Sequence, residues 1–126
     1  MNSNRPVIGV VGPCAAGKST LVNQLRSLGY SVKHIAQEHS YVANMWEKIA
    51  QPDLLIYLDV SYEISCKRNQ STWSDKIYNN QVERLAHARD NADLYIGTDD
   101  KTPAEVFNLV VSFLEDLSGN GEGFRR

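Results

Sequence analysis

Eight consecutive residues near the start of the chain carry its most specific chemical signal. They match the pattern G-x-x-x-x-G-K-[ST], a glycine-rich loop whose backbone N–H groups cradle phosphate oxygens. The eight residues are Gly12, Pro13, Cys14, Ala15, Ala16, Gly17, Lys18 and Ser19. A chance match is expected in well under about 1% of chains of this length. The motif therefore predicts a phosphate-binding loop, or P-loop.

The chemistry of a P-loop assigns a task to most of these residues. Gly12 and Gly17 allow a turn that aims N–H groups at phosphate, and the start of the following helix adds its dipole. Lys18 can neutralise the β- and γ-phosphates, and the Ser19 hydroxyl can coordinate Mg²⁺. Thr20 can hydrogen-bond the α-phosphate. We therefore expect the loop to bind a nucleoside triphosphate, with ATP and Mg²⁺ as the cofactors.

Two acidic residues at predicted strand ends are candidates for the carboxylate that such a site needs near its metal. Glu38 could hold a Mg²⁺-bound water or accept a proton, or it could be a solvated carboxylate. Asp59 resembles the end of a Walker B segment but is interpreted here as the cap of the next helix. The predicted catalytic residues are Lys18, Glu38 and Arg68, and the predicted metal ligands are Ser19 and Glu38.

Several polar side chains near these positions have two open interpretations. The Cys14 thiolate could be favoured by the helix N-terminus, or Cys14 could simply be small enough for the loop, which is the favoured interpretation. His39 is interpreted as a surface or packing residue. Arg68 could fold over the phosphates and stabilise transferring charge, or it could belong to a solvated face. A solvated face is favoured for Arg84 and Arg89.

Hydrophobic patterns predict the elements that must position these residues. The predicted strands are Val7–Val11, Tyr30–Gln37, Leu54–Leu58 and Leu94–Ile96. The predicted helices cover residues 18–28, 40–51, 61–69 and 74–91. Gly29 is the expected C-terminal cap of the first of them, and a last helix begins with a capping box at Thr102–Glu105. The third strand is apolar at every position, which is typical of a parallel sheet covered on both faces. The sequence therefore predicts an α/β fold with a short, mainly parallel sheet of about four strands.

Length and composition limit the class of protein. The 126 residues suit one domain, which we predict over residues 1–117, followed by a flexible tail over residues 118–126. The net charge of −2 argues against a domain built to grip nucleic acid. No apolar run is long enough for a transmembrane helix, so no membrane association is expected. With only Cys14 and Cys66, we expect a cytoplasmic protein with reduced thiols.

Three segments together resemble the P-loop nucleoside and nucleotide kinases, and most of all the thymidylate-kinase-like group. The first segment is Val7–Thr20, which matches the strand, the P-loop and the start of its helix. The second is Pro52–Val60, with Arg68 one helix later, and the third runs from Ile96 through Val106. The resemblance covers about half of the chain. It implies a three-layer P-loop fold, binding of ATP and Mg²⁺, and a role for Arg68 as the lid arginine.

One interval departs from that family. Only Gly29–Gln51 fills the space where those kinases carry a longer insertion with an acidic-plus-arginine motif and the acceptor site. Glu38 and His39 stand in place of an Asp-Arg pair. The chain is therefore interpreted as a shortened kinase-like protein that lacks the acceptor-binding insertion.

Two classes of function follow from these observations. The first is a minimal Mg²⁺-dependent phosphotransferase or ATPase that acts on an unidentified small-molecule acceptor. The second is a non-catalytic nucleotide-binding module that regulates or binds a protein partner. A homo-oligomer in which a second subunit completes the acceptor site would restore the first class of function, the phosphotransferase. The residues expected on the partly covered helix at that place are Tyr41, Met45 and Trp46.

Overall fold

A four-stranded parallel sheet forms the centre of the molecule. The computed structural model describes residues 6–69 and 74–119. The strands are β1 (Val7–Val11), β2 (Ser31–His34), β3 (Leu54–Asp59) and β4 (Leu94–Gly97). They are hydrogen-bonded in the order β2-β1-β3-β4, and every pair is parallel. The predicted α/β fold with about four parallel strands is therefore confirmed, and all the strand ends that carry candidate residues lie at one edge of the sheet.

Five helices follow these strands in the described part of the chain. They are α1 (Lys18–Ser27), α2 (Tyr62–Asn69), α3 (Asp75–Arg84), α4 (Ala86–Asp90) and α5 (Pro103–Gly119). None of them is both long and apolar enough to cross a membrane. The predicted tail overlaps the end of α5, and its residues 120–126 lie outside the described residues.

Two hydrophobic clusters cover the two faces of the sheet. Along β3, Ile56 belongs to the cluster beneath α1 and α5, and its neighbour Tyr57 belongs to the other. Successive side chains of a strand point to opposite faces, so these clusters lie on opposite sides. The second cluster contains Trp46, Leu85 and Ala88. The continuous apolar run of β3 is thus explained by burial on both faces, as predicted.

Local signals at two helix ends act as the sequence predicts. After α1, the Gly29 N–H donates to the Arg26 carbonyl (2.9 Å), and the Tyr30 N–H donates to the Leu25 carbonyl (3.2 Å). This pair of bonds is a Schellman motif. Before α5, the Glu105 N–H donates to the Thr102 hydroxyl (3.1 Å), and the Glu105 carboxylate accepts from the Thr102 N–H (2.8 Å). The predicted capping box is therefore confirmed.

The predicted helix over residues 40–51 is wrong in most of its length. Only a π-helical turn, Trp46–Ala50, forms there; Trp46 is buried, but Val42 and Ile49 are exposed. The buried Gln37 side chain satisfies the backbone instead. Its amide donates to the Val42 carbonyl (2.8 Å) and accepts from the Trp46 N–H (2.8 Å).

Two further boundaries differ from the prediction. The single helix predicted over residues 74–91 is divided into α3 and α4 at Leu85. The division coincides with a bond from the Gln37 amide to the Arg84 carbonyl (3.1 Å), which draws that carbonyl away from a helical partner. The strand β2 ends at His34 rather than at the predicted Gln37. Gln37 is instead the first residue of a 3₁₀ turn over residues 37–39.

Candidate functional site

The predicted P-loop, residues 12–19, begins directly after β1 and runs into the start of α1; the name is kept below for this segment. Gly17 (φ 97°) and Ala15 (φ 70°) both have left-handed backbone conformations, which turn the chain into the helix that begins at Lys18. Gly12 allows a close approach, because a Cβ there would lie 2.0 Å from the backbone oxygen of Leu58 in β3. The loop thus lies between a parallel strand and a helix N-terminus, where backbone N–H groups and the helix dipole favour anions.

Lys18 is buried at the centre of this loop. Its ammonium donates to the carbonyls of Gly12 (2.6 Å) and Pro13 (3.0 Å) and lies 3.1 Å from Glu38 Oε2. The side chains of Lys18 and Glu38 are only 6% and 5% exposed, respectively. An ammonium has three N–H donors, so the loop and Glu38 together use all of its hydrogen-bonding capacity.

Glu38 reaches the P-loop because β2 is the direct neighbour of β1. It belongs to the 3₁₀ turn Gln37–His39, which follows β2 at the same edge of the sheet. Its second oxygen, Oε1, is buried and has no hydrogen-bond partner among the described residues. Leaving a buried carboxylate oxygen unsatisfied is costly, so this oxygen is suited to a cation or a water.

The two predicted metal ligands, Ser19 and Glu38, offer oxygen atoms of the kind that Mg²⁺ binds. Ser19 and Glu38 border one cavity of about 330 Å³, together with Lys18 and His34. Hydroxyl and carboxylate oxygens are the ligands that Mg²⁺ prefers, and the free Oε1 atom supplies one of them. Burial, followed by the charge of Lys18, lowers the pKa of His34. This imidazole is therefore neutral at physiological pH and adds no positive charge beside a cation.

Asp59 does not join the P-loop, and the prediction that it caps the next helix is wrong. Its Oδ1 atom accepts from the Val60 N–H (2.9 Å), and its Oδ2 atom accepts from the Tyr95 hydroxyl. The cap of α2 is Ser61, whose hydroxyl accepts from the Ile64 N–H (3.3 Å). Asp59 is still part of β3 and has an extended conformation. Ser61, two positions later, is therefore the residue directly before the first turn of α2.

Arg68 does reach the P-loop, as its predicted role requires. One of its guanidinium nitrogens, Nη1, donates to the Ala15 carbonyl (3.0 Å) and to the Thr98 hydroxyl (2.9 Å), and the other nitrogen donates to the Thr98 carbonyl. Arg68 thereby connects α2, the P-loop and the end of β4. The sequence also predicts an irregular stretch over residues 69–72; Asn69 instead ends α2, and residues 70–73 lie outside the described residues.

A cavity of about 320 Å³ lies beside the loop, between α1 and the start of α5. Leu21, Pro103 and Val106 give it apolar walls, and Arg68 borders it. Gln24, which also borders it, has a buried side-chain oxygen with no partner among the described residues. The sequence prediction missed Gln24. Its signal was the spacing from Thr20, four residues earlier, which places both side chains on one face of α1.

Gln81 is a second site residue that sequence reasoning missed. It is buried, and it bonds to Cys14 twice: its amide oxygen accepts from the Cys14 N–H (3.1 Å) and its amide nitrogen donates to Cys14 Sγ (3.3 Å). No local pattern could indicate this contact, because 67 positions separate the two residues. Gln81 fixes the first half of the P-loop from the side of α3.

The arginines assigned to a solvated face make specific contacts. The Arg84 guanidinium lies 4.4 Å from the centre of the Tyr41 ring and donates to the Glu38 carbonyl (3.4 Å), so it helps to hold the 3₁₀ turn. Arg89 lies 5.6 Å from the centre of the Tyr95 ring. Of the residues expected on a partly covered helix, Tyr41 is 89% exposed, but Trp46 is buried.

Comparison with known proteins adds no assignment to this geometry. The chain matches no protein-family model, and it has no significant match among curated proteins.

Proposed function

We propose that the chain is a P-loop nucleotide-binding protein with the three-layer fold of that class, and that it binds ATP with Mg²⁺ at residues 12–20. The observation that carries the proposal is the buried Lys18–Glu38 pair. It sets a cation suited to phosphate oxygens beside a carboxylate with a free oxygen. Helices on both faces of the parallel sheet support the proposed fold.

Within this proposal, the side chains of the site divide the work of phosphate transfer. Lys18 turns from the loop carbonyls to the β- and γ-phosphates, while backbone N–H groups at the start of α1 hold the phosphate oxygens. Arg68, already on the Ala15 carbonyl, is within reach of the charge that develops during transfer. Glu38 holds a water or accepts the proton of the attacking hydroxyl.

Mg²⁺, when bound, neutralises phosphate charge, and Ser19 and Glu38 are the residues that would hold it. The cavity beside the loop is proposed as the place of the base. Its apolar walls suit a flat aromatic ring, and the free Gln24 oxygen can accept a hydrogen bond from an amino group such as that of adenine. The phosphate acceptor is a small hydroxyl compound or water.

A second function, that of a nucleotide-dependent binding module, is favoured by one observation. All three donors of Lys18 are already used inside the protein, so a triphosphate must replace some of these partners. Released from Lys18, Glu38 would free the 3₁₀ turn, which Arg84 links to the exposed Tyr41. In this version ATP changes a surface for a protein partner and turnover is slow or absent.

Titration calorimetry of Mg-ATP tests the proposal in both versions. The wild type is compared with a double variant, Lys18→Met with Glu38→Gln, which removes both charges and so leaves neither of them buried alone. We expect affinity to fall about 100-fold, because a charged contact to phosphate is lost. The control is Lys67→Ala, on the exposed side of α2. Equal affinities in the wild type and the double variant would contradict the proposal.

Release of ADP decides between the two versions. Purified protein is incubated with Mg-ATP, with and without a panel of small hydroxyl compounds. Turnover that the double variant lacks supports the phosphotransferase or ATPase. Tight binding without turnover under every condition supports the binding module.

A further inference from the structure

Three metal-ligating atoms meet where the P-loop faces the 3₁₀ turn. His39 Nε2 lies 4.0 Å from Cys14 Sγ and 3.7 Å from Glu38 Oε2. The donor atoms of these three residues all lie within 4.8 Å of one another. The grouping arises because β1 and β2 are neighbouring parallel strands, so the segments after them meet at one edge of the sheet.

The two separations that involve His39 are close to those of a tetrahedral zinc site, and the third, between Cys14 and Glu38, is at most 4.8 Å. Bonds of about 2.3 Å to sulfur and about 2.0–2.2 Å to nitrogen and oxygen place neighbouring ligand atoms roughly 3.3–3.6 Å apart. The two measured separations exceed this range by only a few tenths of an ångström. His39 can close the difference, because its side chain is 60% exposed and has room to rotate.

Two further contacts suit these residues to an ion. Gln81 holds Cys14 from behind through both ends of its amide, and its N–H donates to the sulfur that would carry negative charge. Glu38 is buried, and its free Oε1 atom can bind a second cation while its Oε2 atom stays in contact with the Lys18 ammonium. One thiolate, one imidazole and one carboxylate form a ligand set that favours zinc over magnesium, because sulfur is a soft ligand.

We propose that Cys14, Glu38 and His39 bind one thiophilic divalent cation of the zinc class, with water at the fourth position. This site is separate in chemistry from the proposed magnesium site, but the two share Glu38. The shared carboxylate has a consequence that rests on the proposed function. An ion held by Cys14 lies in the mouth of the P-loop and beside the Lys18 ammonium, so zinc and Mg-ATP exclude each other.

Cobalt(II) absorption tests the site without reference to activity. Co²⁺ bound to the wild type is expected to give a thiolate-to-metal charge-transfer band in the near ultraviolet. Cys14→Ser should abolish the band, and His39→Ala should weaken Co²⁺ binding at least about 10-fold. The matched controls, Cys66→Ser and His87→Ala, should retain it, because neither residue lines the cavity that contains Cys14 and Glu38. Circular dichroism of the metal-free variants confirms that each is folded.

Either of two results would overturn the inference. One is a wild type without the band. The other is a band that survives Cys14→Ser and disappears with Cys66→Ser.

Competition is measured by titrating Mg-ATP with and without one equivalent of Zn²⁺. Zinc should lower ATP affinity at least about 10-fold in the wild type and have little effect in His39→Ala. Equal effects of zinc in these two proteins would refute mutual exclusion at this site. If ATP fails to bind the wild type even without zinc, the proposed function fails, while the cobalt spectrum still decides whether the metal site exists.

Discussion

Two strands flank β1, and each leads to an acidic residue: Glu38 lies in the turn after β2, and Asp59 is the last residue of β3, yet their surroundings differ. Glu38 is paired with the Lys18 ammonium and retains one buried oxygen without a partner. Asp59 has both oxygens occupied, one by the Val60 N–H and one by the Tyr95 hydroxyl. A strand end beside the P-loop therefore does not by itself make a metal-linked acid. What distinguishes the two carboxylates is that only Glu38 has an unsatisfied oxygen and a buried ammonium beside it.

The largest expected effect comes from a substitution that breaks the ion pair between Lys18 and Glu38. Lys18→Met leaves the Glu38 carboxylate buried without its cation, so the free energy of unfolding should fall by about 3–5 kcal/mol. Adding Glu38→Gln should restore most of the loss, since no charge then remains buried. Urea unfolding of the single and double variants measures both. Tyr95→Phe, which removes the partner of Asp59, is the matched change and should cost only about 1 kcal/mol. A Lys18→Met variant no less stable than Tyr95→Phe would contradict the pairing.

The next effect concerns the metal. Glu38→Gln should reduce the Mg²⁺-dependent gain in ATP affinity about 10-fold, because a neutral amide is a weaker ligand than a carboxylate. Asp59→Asn should leave that gain unchanged. Calorimetry with and without Mg²⁺ gives the gain for each protein. A larger loss with Asp59→Asn than with Glu38→Gln would transfer the metal-linked role to Asp59.

A smaller effect separates the strand end at Asp59 from the helix cap at Ser61. Ser61→Ala should lower the free energy of unfolding by about 0.5–2 kcal/mol, because the Ile64 N–H loses its acceptor. Ser61→Thr retains a capping hydroxyl and should recover most of this. Thermal melts of the two variants suffice. If the melting temperature of Ser61→Ala equals that of the wild type, then α2 is capped by another group.

The smallest effect is a shift in the titration of Tyr95. Burial, with the Asp59 hydrogen bond as the next cause, raises the pKa of Tyr95 to about 12. In the unfolded chain a tyrosine loses its proton near pH 10. Between these values the unfolded state binds fewer protons, so this contribution to stability is complete below pH 10 and is lost as the pH rises to about 12.

Tyrosinate absorbance of the wild type minus that of Tyr95→Phe gives this titration directly. Asp59→Asn should lower the pKa of Tyr95, because it removes the negative charge that disfavours the phenolate. An unchanged curve in Asp59→Asn would show that burial acts alone.

Sequence reasoning succeeded where one local segment contains the whole signal. The capping box at Thr102 spans four residues, and the Schellman motif at Gly29 needs only the preceding helical turn. The apolar run of β3 likewise indicates, from its own residues alone, that the strand is buried. The position of Glu38 on the P-loop side of the sheet could also be anticipated, on the condition that β2 lies beside β1, and the sheet order meets that condition; its ion pair with Lys18 was not predicted.

Several of the failures involve polar side chains that act across long stretches of chain. Gln37 satisfies the backbone of the following loop and the Arg84 carbonyl, which removes one predicted helix and divides another. Gln81 holds Cys14 from 67 positions away. The preference of a glutamine for such partners is not encoded in its neighbours, so no periodicity or spacing could indicate it. The cap of α2 was misassigned for a local reason, because Asp59 and Ser61 are both good caps and only the length of β3 decides between them.

The contact between Gly12 and β3 affects how loss-of-function variants of this protein should be interpreted. Any side chain at position 12 meets the backbone oxygen of Leu58, which no rotamer change can move. In a mutational screen scored by nucleotide binding, every replacement of Gly12 would fail through misfolding, whatever the ligand. Gly17 has open space around it, so replacements there would report on the shape of the loop. Ser19, whose side chain is exposed, would report on the metal, and Lys18 would report on phosphate only when Glu38 is replaced with it, because the single Lys18 variant leaves a buried charge.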